Sequence, residues 1–282
     1  MRNNEDRLGT KKANSDSPAT TATQGGLAPL DFVRPTTVVS LPSEGKFYGE
    51  DHPLHNQETI EIRQMTTAEE EILTNRSLLQ KGLALDKFLE RLLVDTKVKP
   101  SDLVVGDKNA LLIQARIDGY GADYTTKVVC PSCTATQKHT FDLNEVVSTT
   151  GKTVPDGVTS TANGHYSMEL DNGWIVEFRA LTGADEKKMV QSTTNKKKAG
   201  IEATPIQDQL RALIVSISGH TDSATINKAI QHLTGKQSRA IRTAYADTIP
   251  NVEMRGEINC NECGTTSEME VPLTADFFWA RT

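Results

Sequence analysis

The alternation of apolar and polar residues predicts an α+β protein built from short strands and amphipathic helices. Residues 58–62 place Ile60 and Ile62 on one face, which is typical of a short strand. Residues 165–170 and 174–181 alternate in the same way, and the Asp-Asn-Gly sequence that joins them predicts a β-hairpin. Residues 148–164 show no such period and are predicted to form a loop.

Apolar residues at helical spacing predict the helices. Thr182 is expected to open a short helix, and residues 196–198, three consecutive lysines, are expected in the polar loop after it. A short lysine run of this kind is more often a solvated loop than a contact for an acidic partner. The other predicted helices lie within residues 83–94, 107–118, 206–218, 223–233 and 238–248.

Several residues have the chemistry of helix caps. Thr67 and Glu70 have the spacing of a capping box, and the acidic residues 69–71 are interpreted as a solvated helix face, because consecutive helical positions do not share a side. Asp107 and Ser223 are each predicted to cap the helix that follows them.

These elements divide the chain into four regions. Residues 1–35 are polar and aperiodic, and they indicate a disordered or extended arm, either a plain tail or a segment that folds onto a neighbour. Residues 36–143 form an α+β unit, and residues 144–251 form an insertion of hairpin and helices. Residues 252–282 return to a strand-rich pattern and end near Phe277-Phe278-Trp279, an aromatic cluster that is expected to complete the core rather than anchor an interface.

All four cysteines lie in two CxxC pairs that flank the insertion. Cys130 and Cys133 form the first pair, and Cys260 and Cys263 form the second. Each pair lies between two predicted strands, so each is predicted to form a tight turn, here called a knuckle. The backbone N–H groups of such a turn can point at the cysteine sulfurs. Two such pairs can hold one Zn²⁺ in a tetrahedral four-thiolate site. The sequence therefore predicts a split zinc ribbon with a structural Zn²⁺, which brings the two ends of the insertion together.

Other interpretations of the cysteines explain less. A redox dithiol needs only one pair, and two local disulfides are strained at this spacing and disfavoured in a reducing cytoplasm. Gly264 follows the second pair, where glycine fits a left-handed conformation best, whereas Thr134 occupies that place after the first pair at a mild cost. His139 is a spare ligand candidate, although an exposed strand histidine is the simpler interpretation.

Composition, charge and the absence of certain motifs limit the classes of function that fit this chain. The chain has 31 basic and 37 acidic residues, a net charge of −6, which argues against general nucleic-acid binding. No apolar run is long enough to span a bilayer, and no secretory signal is visible. The Gly-Lys-Thr triplet at 151–153 lacks the earlier glycine of a phosphate-binding loop. No catalytic motif stands out, which favours a non-enzymatic structural or interaction protein.

A series of short motifs resembles a known family. The motifs are LPSEGKFY at 41–48, MTTAEEEIL at 65–73, VVGDKNAL at 104–111, RIDGYG at 116–121 and the first CxxC pair. In their order and spacing they are similar to the baseplate hub proteins of T-even-type contractile-tailed bacteriophages. The CNECG sequence at 260–264 and the later Phe-Phe-Trp fit as well. The arm and the middle of the insertion are not covered.

The resemblance implies a structural component of the tail baseplate, in its hub region, that contributes to tail assembly through protein–protein contacts. The implied partners are other baseplate or tail subunits, among them those of the hub, the wedge and the tape measure. Several copies in a symmetric assembly are expected, with no nucleic acid and no membrane-spanning contact. The protein is then expected in the virion tail after assembly in the host cytoplasm. Two alternatives stay open: a tail-assembly chaperone absent from the mature particle, and a zinc-ribbon regulatory protein.

Overall fold

The strands and helices form small sheets flanked by helices. The computed structural model describes residues 33–161, 164–271 and 277–278, and the arm predicted over residues 1–35 lies, up to residue 32, outside them. The strands are β1 Thr36–Ser40, β2 Thr59–Arg63, β3 Asp123–Val129, β4 Thr136–Asp142, β5 Val147–Thr150, β6 Val158–Ser160, β7 Tyr166–Glu169, β8 Ile175–Phe178, β9 Ile214–Ile217, β10 Asn251–Asn259 and β11 Thr266–Glu270. The helices are α1 Thr67–Thr74, α2 Arg76–Gln80, α3 Ala84–Leu92, α4 Val105–Tyr120, α5 Leu143–Val146, α6 Gly183–Lys198, α7 Pro205–Leu213, α8 Ser223–His232 and α9 Gly235–Thr248.

Within the described residues the strands pair in four small antiparallel sheets. β1 pairs with β2, β3 with β4, β10 with both β5 and β11, and β6 to β9 pair in sequence order. The α+β class predicted from the sequence is confirmed. The predicted hairpin is β7–β8, in which Glu169 lies opposite Ile175. None of the described helices is both long and apolar enough to cross a membrane.

Two predictions for the middle region are wrong. The loop predicted over residues 148–164 contains β6 and most of β5, and β5 pairs with β10. The helix predicted over residues 206–218 ends at Leu213, where the chain continues as β9 alongside β8. Ile214 and Ile217 fit both a helical stripe and a buried strand. The neighbouring strand β8, which is distant in sequence, decides between the two.

The capping box of α1 lies one residue earlier than predicted. Thr66, not Thr67, is the N-cap, and its backbone N–H donates to Glu69 Oε2 at 2.9 Å. Glu69 is buried and pairs with Arg34 at 2.6 Å, so the solvated acidic face predicted for residues 69–71 is wrong at this residue. A long-range cation, which local spacing does not reveal, changes the environment of this carboxylate.

Two further local predictions need correction. α8 is capped by the side chain of Asp222 rather than by Ser223, which is its first helical residue. The lysines at 196–198 form the last turn of α6, not a loop, where cations interact favourably with the helix dipole. Lys196 also binds Asp208 of α7 at 2.6 Å.

Asp107 is not a cap but a buried anchor in the first turn of α4. Its carboxylate accepts hydrogen bonds from the Ser43 backbone N–H at 2.9 Å and from the Tyr48 hydroxyl at 2.6 Å. The Ser43 hydroxyl donates to it as well. Burial raises the pKa of Asp107 although these hydrogen bonds favour the carboxylate. Two motifs of the sequence, 41–48 and 104–111, therefore meet in the core.

The next two residues of α4 contact other parts of the chain. Lys108, also buried, donates to Asp86 of α3 at 2.9 Å and to Glu186 of α6 at 3.1 Å. Asn109 donates to Asn251, the first residue of β10, at 3.1 Å. The start of α4 thus fastens the helices before the first cysteine pair to the insertion and to the strand that leads to the second pair.

Gly106 gives a test of this junction. A Cβ atom at this position would lie 2.1 Å from the Pro250 carbonyl oxygen, so Gly106→Ala must displace backbone. We expect a loss of about 1–3 kcal/mol in the free energy of unfolding, measured by chemical denaturation. Gly235→Ala, where a Cβ would meet no atom within 4 Å, is the control and should change stability by less than about 1 kcal/mol. Equal effects of the two substitutions would contradict the proposed close packing.

The buried apolar side chains of the described residues form two clusters. One lies around α3 and α4 and includes Phe277 and Phe278, which are buried, so the prediction that the aromatic cluster completes the core is confirmed for these two residues. Trp279 lies outside the described residues. The other cluster lies between the sheet of β6 to β9 and the helices α7, α8 and α9. The first cluster is the base from which the two cysteine hairpins extend.

Candidate metal centre

The two CxxC pairs meet at the ends of two β-hairpins. β3 and β4 flank the first pair, and β10 and β11 flank the second. The sulfurs of Cys130 and Cys263 are 3.8 Å apart, those of Cys133 and Cys260 are 3.5 Å apart, and all four lie within 4.8 Å of one another. A tetrahedron of sulfurs around Zn²⁺ at 2.3 Å has edges of about 3.8 Å. The distances between the sulfurs therefore fit one metal ion bound by four thiolates.

The backbone folds in the same way around both pairs. The Cys130 N–H donates to the Ala135 carbonyl at 2.9 Å, and the Cys260 N–H donates to the Thr265 carbonyl at 3.0 Å. A second hydrogen bond, 2.9 Å long, is found in each pair. The Thr134 N–H donates to the Cys130 carbonyl, and the Gly264 N–H donates to the Cys260 carbonyl. Each knuckle is held by its own hairpin, so the position of each sulfur is fixed by local structure.

The residue after each second cysteine is in the left-handed conformation. Gly264 has φ = 69°, which glycine adopts without strain, and Thr134 has φ = 61°, which is unfavourable for a β-branched residue. Thr134 therefore adopts the left-handed conformation that the sequence led us to expect after each second cysteine. The Thr134 hydroxyl donates to the Cys133 carbonyl at 2.7 Å.

Polar groups around the sulfurs favour thiolates at two positions. The backbone N–H groups of Cys133 and Ser132 lower the pKa of Cys130, and the hydroxyl and N–H of Thr265 lower the pKa of Cys263 to about 6. At Cys133 the Ala135 N–H lowers the pKa, but the adjacent sulfurs outweigh it and raise the pKa to about 12. Four thiolates this close together repel one another, and a divalent cation compensates that repulsion.

Gln137 joins the two hairpins, and sequence reasoning missed it. Its side-chain Nε2 donates to the Asn259 carbonyl at 2.8 Å, and its Oε1 accepts from the Asn261 N–H at 2.8 Å. One amide thus holds the strand of the second hairpin on both sides of Cys260. A glutamine at this position of β4 has no sequence signal, because its partners are more than a hundred residues away.

His139 does not join the four sulfurs. Its ring packs edge-on against Phe141 with centroids 4.6 Å apart, and the metal-ligating side chains that lie together among the described residues are the four cysteines. Cys130 and Cys260 are buried, and Cys133 and Cys263 are exposed. A closed four-sulfur set leaves no open coordination position for substrate, so the arrangement is suited to holding structure.

Comparison with known proteins supports one family. A family model described as "T4 bacteriophage base plate protein" matches residues 34–279. No curated protein and no solved structure shows significant similarity to the chain. The match spans both cysteine hairpins and the insertion between them, including the middle region that the motif resemblance did not reach.

Proposed function

The chain belongs to the T4 bacteriophage base plate protein family, and we propose that within the baseplate it is a hub-region subunit that stays in the particle and binds one structural Zn²⁺. Membership of this family makes the chain a structural component of a phage baseplate that interacts with other baseplate components. The proposal adds the hub position, the retention in the particle, a contribution to tail assembly and the metal.

The observation that carries the proposal is the closure of two distant half-sites into one. The four sulfurs come from hairpins on either side of the insertion and lie within 4.8 Å of one another. A zinc ion there would fix both ends of the insertion, because each hairpin contributes two ligands. Together with the contacts at the start of α4, such a zinc site would make the chain a rigid subunit that is suited to transmitting load between neighbouring subunits.

The four regions at 1–35, 36–143, 144–251 and 252–282 are part of this proposal. In it the arm reaches a neighbouring subunit and the insertion presents a binding surface. The proposal gives the chain no catalytic role, in keeping with a structural family. The proposal places assembly in the host cytoplasm, because a reducing environment keeps the four cysteines available as thiolates for the metal.

The test is peptide mass spectrometry of purified mature particles, with copy number measured against a known tail protein. We expect stoichiometric peptides of this chain at a small multiple of three or six. Absence from particles together with abundance in infected cells would overturn the proposal and identify a tail-assembly chaperone. Retention of nucleic acid at low salt would instead favour the zinc-ribbon regulator.

A further inference from the structure

The outward faces of the two cysteine hairpins have opposite charges at equivalent positions. When Cys130 is aligned with Cys260, and Cys133 with Cys263, Lys127 becomes equivalent to Glu257 and Lys138 to Glu268. The strand register confirms the equivalence, because Lys127 lies directly opposite Lys138, and Glu257 lies directly opposite Glu268. One hairpin therefore has a basic cross-strand pair where the other has an acidic one.

Both pairs are unfavourable in the isolated chain. Like charges directly opposite each other on antiparallel strands repel. All four side chains are exposed, and none of them forms an ion pair with another described residue. Two repulsive pairs at matched positions favour a compensating partner, and within the described part of the chain neither pair has an ion pair of its own, although Arg255 attracts Glu268.

The surroundings of each pair strengthen the pattern. On the acidic hairpin Arg255 lies opposite Glu270 and is attracted by Glu268, but it is already paired with Glu253 at 2.9 Å. On the basic hairpin Val129 lies on the same face as Lys127, two residues further along β3, and is 53% exposed. This exposed valine lies beside the two lysines and opposite Thr136, so it adds apolar surface next to the charges, as protein–protein contacts have.

We propose that the basic face of the first hairpin docks on the acidic face of the second hairpin of another copy of this chain. Each pair occupies the same place in an equivalent hairpin, so the two lysines have the same spacing as the two glutamates, with opposite sign. A surface with this pattern lies on the chain itself, which makes a second copy the matching partner. The contact joins two different surfaces, so it is head-to-tail, and repetition of such a contact closes a ring when the rotation allows.

This inference rests on the proposed role as a subunit present in several copies. To that role the inference adds the two surfaces that meet and the charges that determine how the two copies align. The metal centre supports it indirectly, since zinc would hold both hairpins, and with them both charge pairs, in a fixed geometry. A contact governed by exposed charges forms quickly and weakens as salt rises.

The experiment measures self-association of the full-length, zinc-loaded chain by sedimentation velocity at about 0.05 M and about 0.5 M salt. We expect concentration-dependent association at low salt that decreases at high salt. The double variants Lys127→Glu with Lys138→Glu, and Glu257→Lys with Glu268→Lys, should each associate about tenfold or more weakly. An equimolar mixture of the two variants should associate again, because each supplies the charges that the other lacks.

The control is Lys87→Glu with Lys97→Glu, which changes the net charge as much as the double lysine variant does, at exposed lysines outside both hairpins, and should leave association unchanged. Zinc content is measured for every variant, so a misfolded ribbon is recognised. A wild-type chain that stays monomeric at low salt, or a mixture that fails to associate, would overturn the inference. A monomeric chain found stoichiometrically in particles would do so and leave the proposed function intact. Self-association without retention in particles would overturn the proposed function alone.

Discussion

Replacement of Cys260 by serine is expected to abolish zinc binding and to lower the free energy of unfolding by at least about 4 kcal/mol. The Cys260 sulfur is buried and lies 3.5 Å from that of Cys133, so a hydroxyl in its place leaves three thiolates and an incomplete site. Loss of the proposed ion would release both hairpins together, because each hairpin would supply half of its ligands. Zinc per chain, measured by mass spectrometry of the metal, should decrease from one to near zero, and the melting temperature should decrease with it.

Two control variants distinguish the effect of losing the metal from the effect of changing a nearby side chain. Ser132→Ala changes an exposed residue between the first two cysteines but keeps its backbone N–H, so zinc and stability should stay unchanged. His139→Ala should also keep one zinc per chain, whereas loss of zinc there would show that the histidine is a ligand. Full thermal stability and normal tail assembly of the Cys260→Ser protein would refute the idea that zinc stabilises the part that transmits load.

The cysteine site could be predicted from the sequence because most of its geometry is local. Each CxxC pair and its flanking strands specify a knuckle, and Gly264 marks the left-handed residue after it. The β7–β8 hairpin was predictable for the same reason, since its turn sequence lies between its own strands. Features whose cause and effect lie within about ten residues can be read from the chain.

Features that depend on distant partners were missed or misassigned. Asp107 has the spacing of a helix cap, but its partners Ser43 and Tyr48 are some sixty residues earlier in the chain and make it a core anchor. The local sequence groups Glu69 with two neighbouring solvated acids, but in the structure Glu69 forms an ion pair with Arg34. A polar residue in a single sequence carries no mark of whether a partner buries it, so its local pattern gives the simpler interpretation.

The same limit conceals Arg116, whose replacement by methionine should lower the free energy of unfolding by about 2–4 kcal/mol. This side chain is fully buried, and burial lowers its pKa, although an arginine stays protonated in proteins. It donates to three backbone carbonyls: Phe277 at 2.9 Å, Gly121 at 2.6 Å and Asp123 at 3.1 Å. Methionine fills a similar volume but leaves all three acceptors without this donor. The contact with Phe277 is buried, so its unpaired carbonyl costs about 1–3 kcal/mol, whereas those with Gly121 and Asp123 are partly buried and cost less.

The loss should be concentrated at the C-terminal end, because Phe277 is held by Arg116 and by an edge-on contact with Tyr124 at 5.1 Å. Hydrogen exchange in a peptide that contains Phe277 and Phe278 should therefore accelerate before that in the β7–β8 hairpin. Arg116→Lys keeps the charge but not the three-way geometry of the guanidinium, so it should lie between the wild type and the methionine variant. Arg91→Met, at an exposed position of α3, should change stability by less than about 0.5 kcal/mol. Uniform acceleration of exchange across the whole chain would show that Arg116 supports overall stability without a particular hold on the tail.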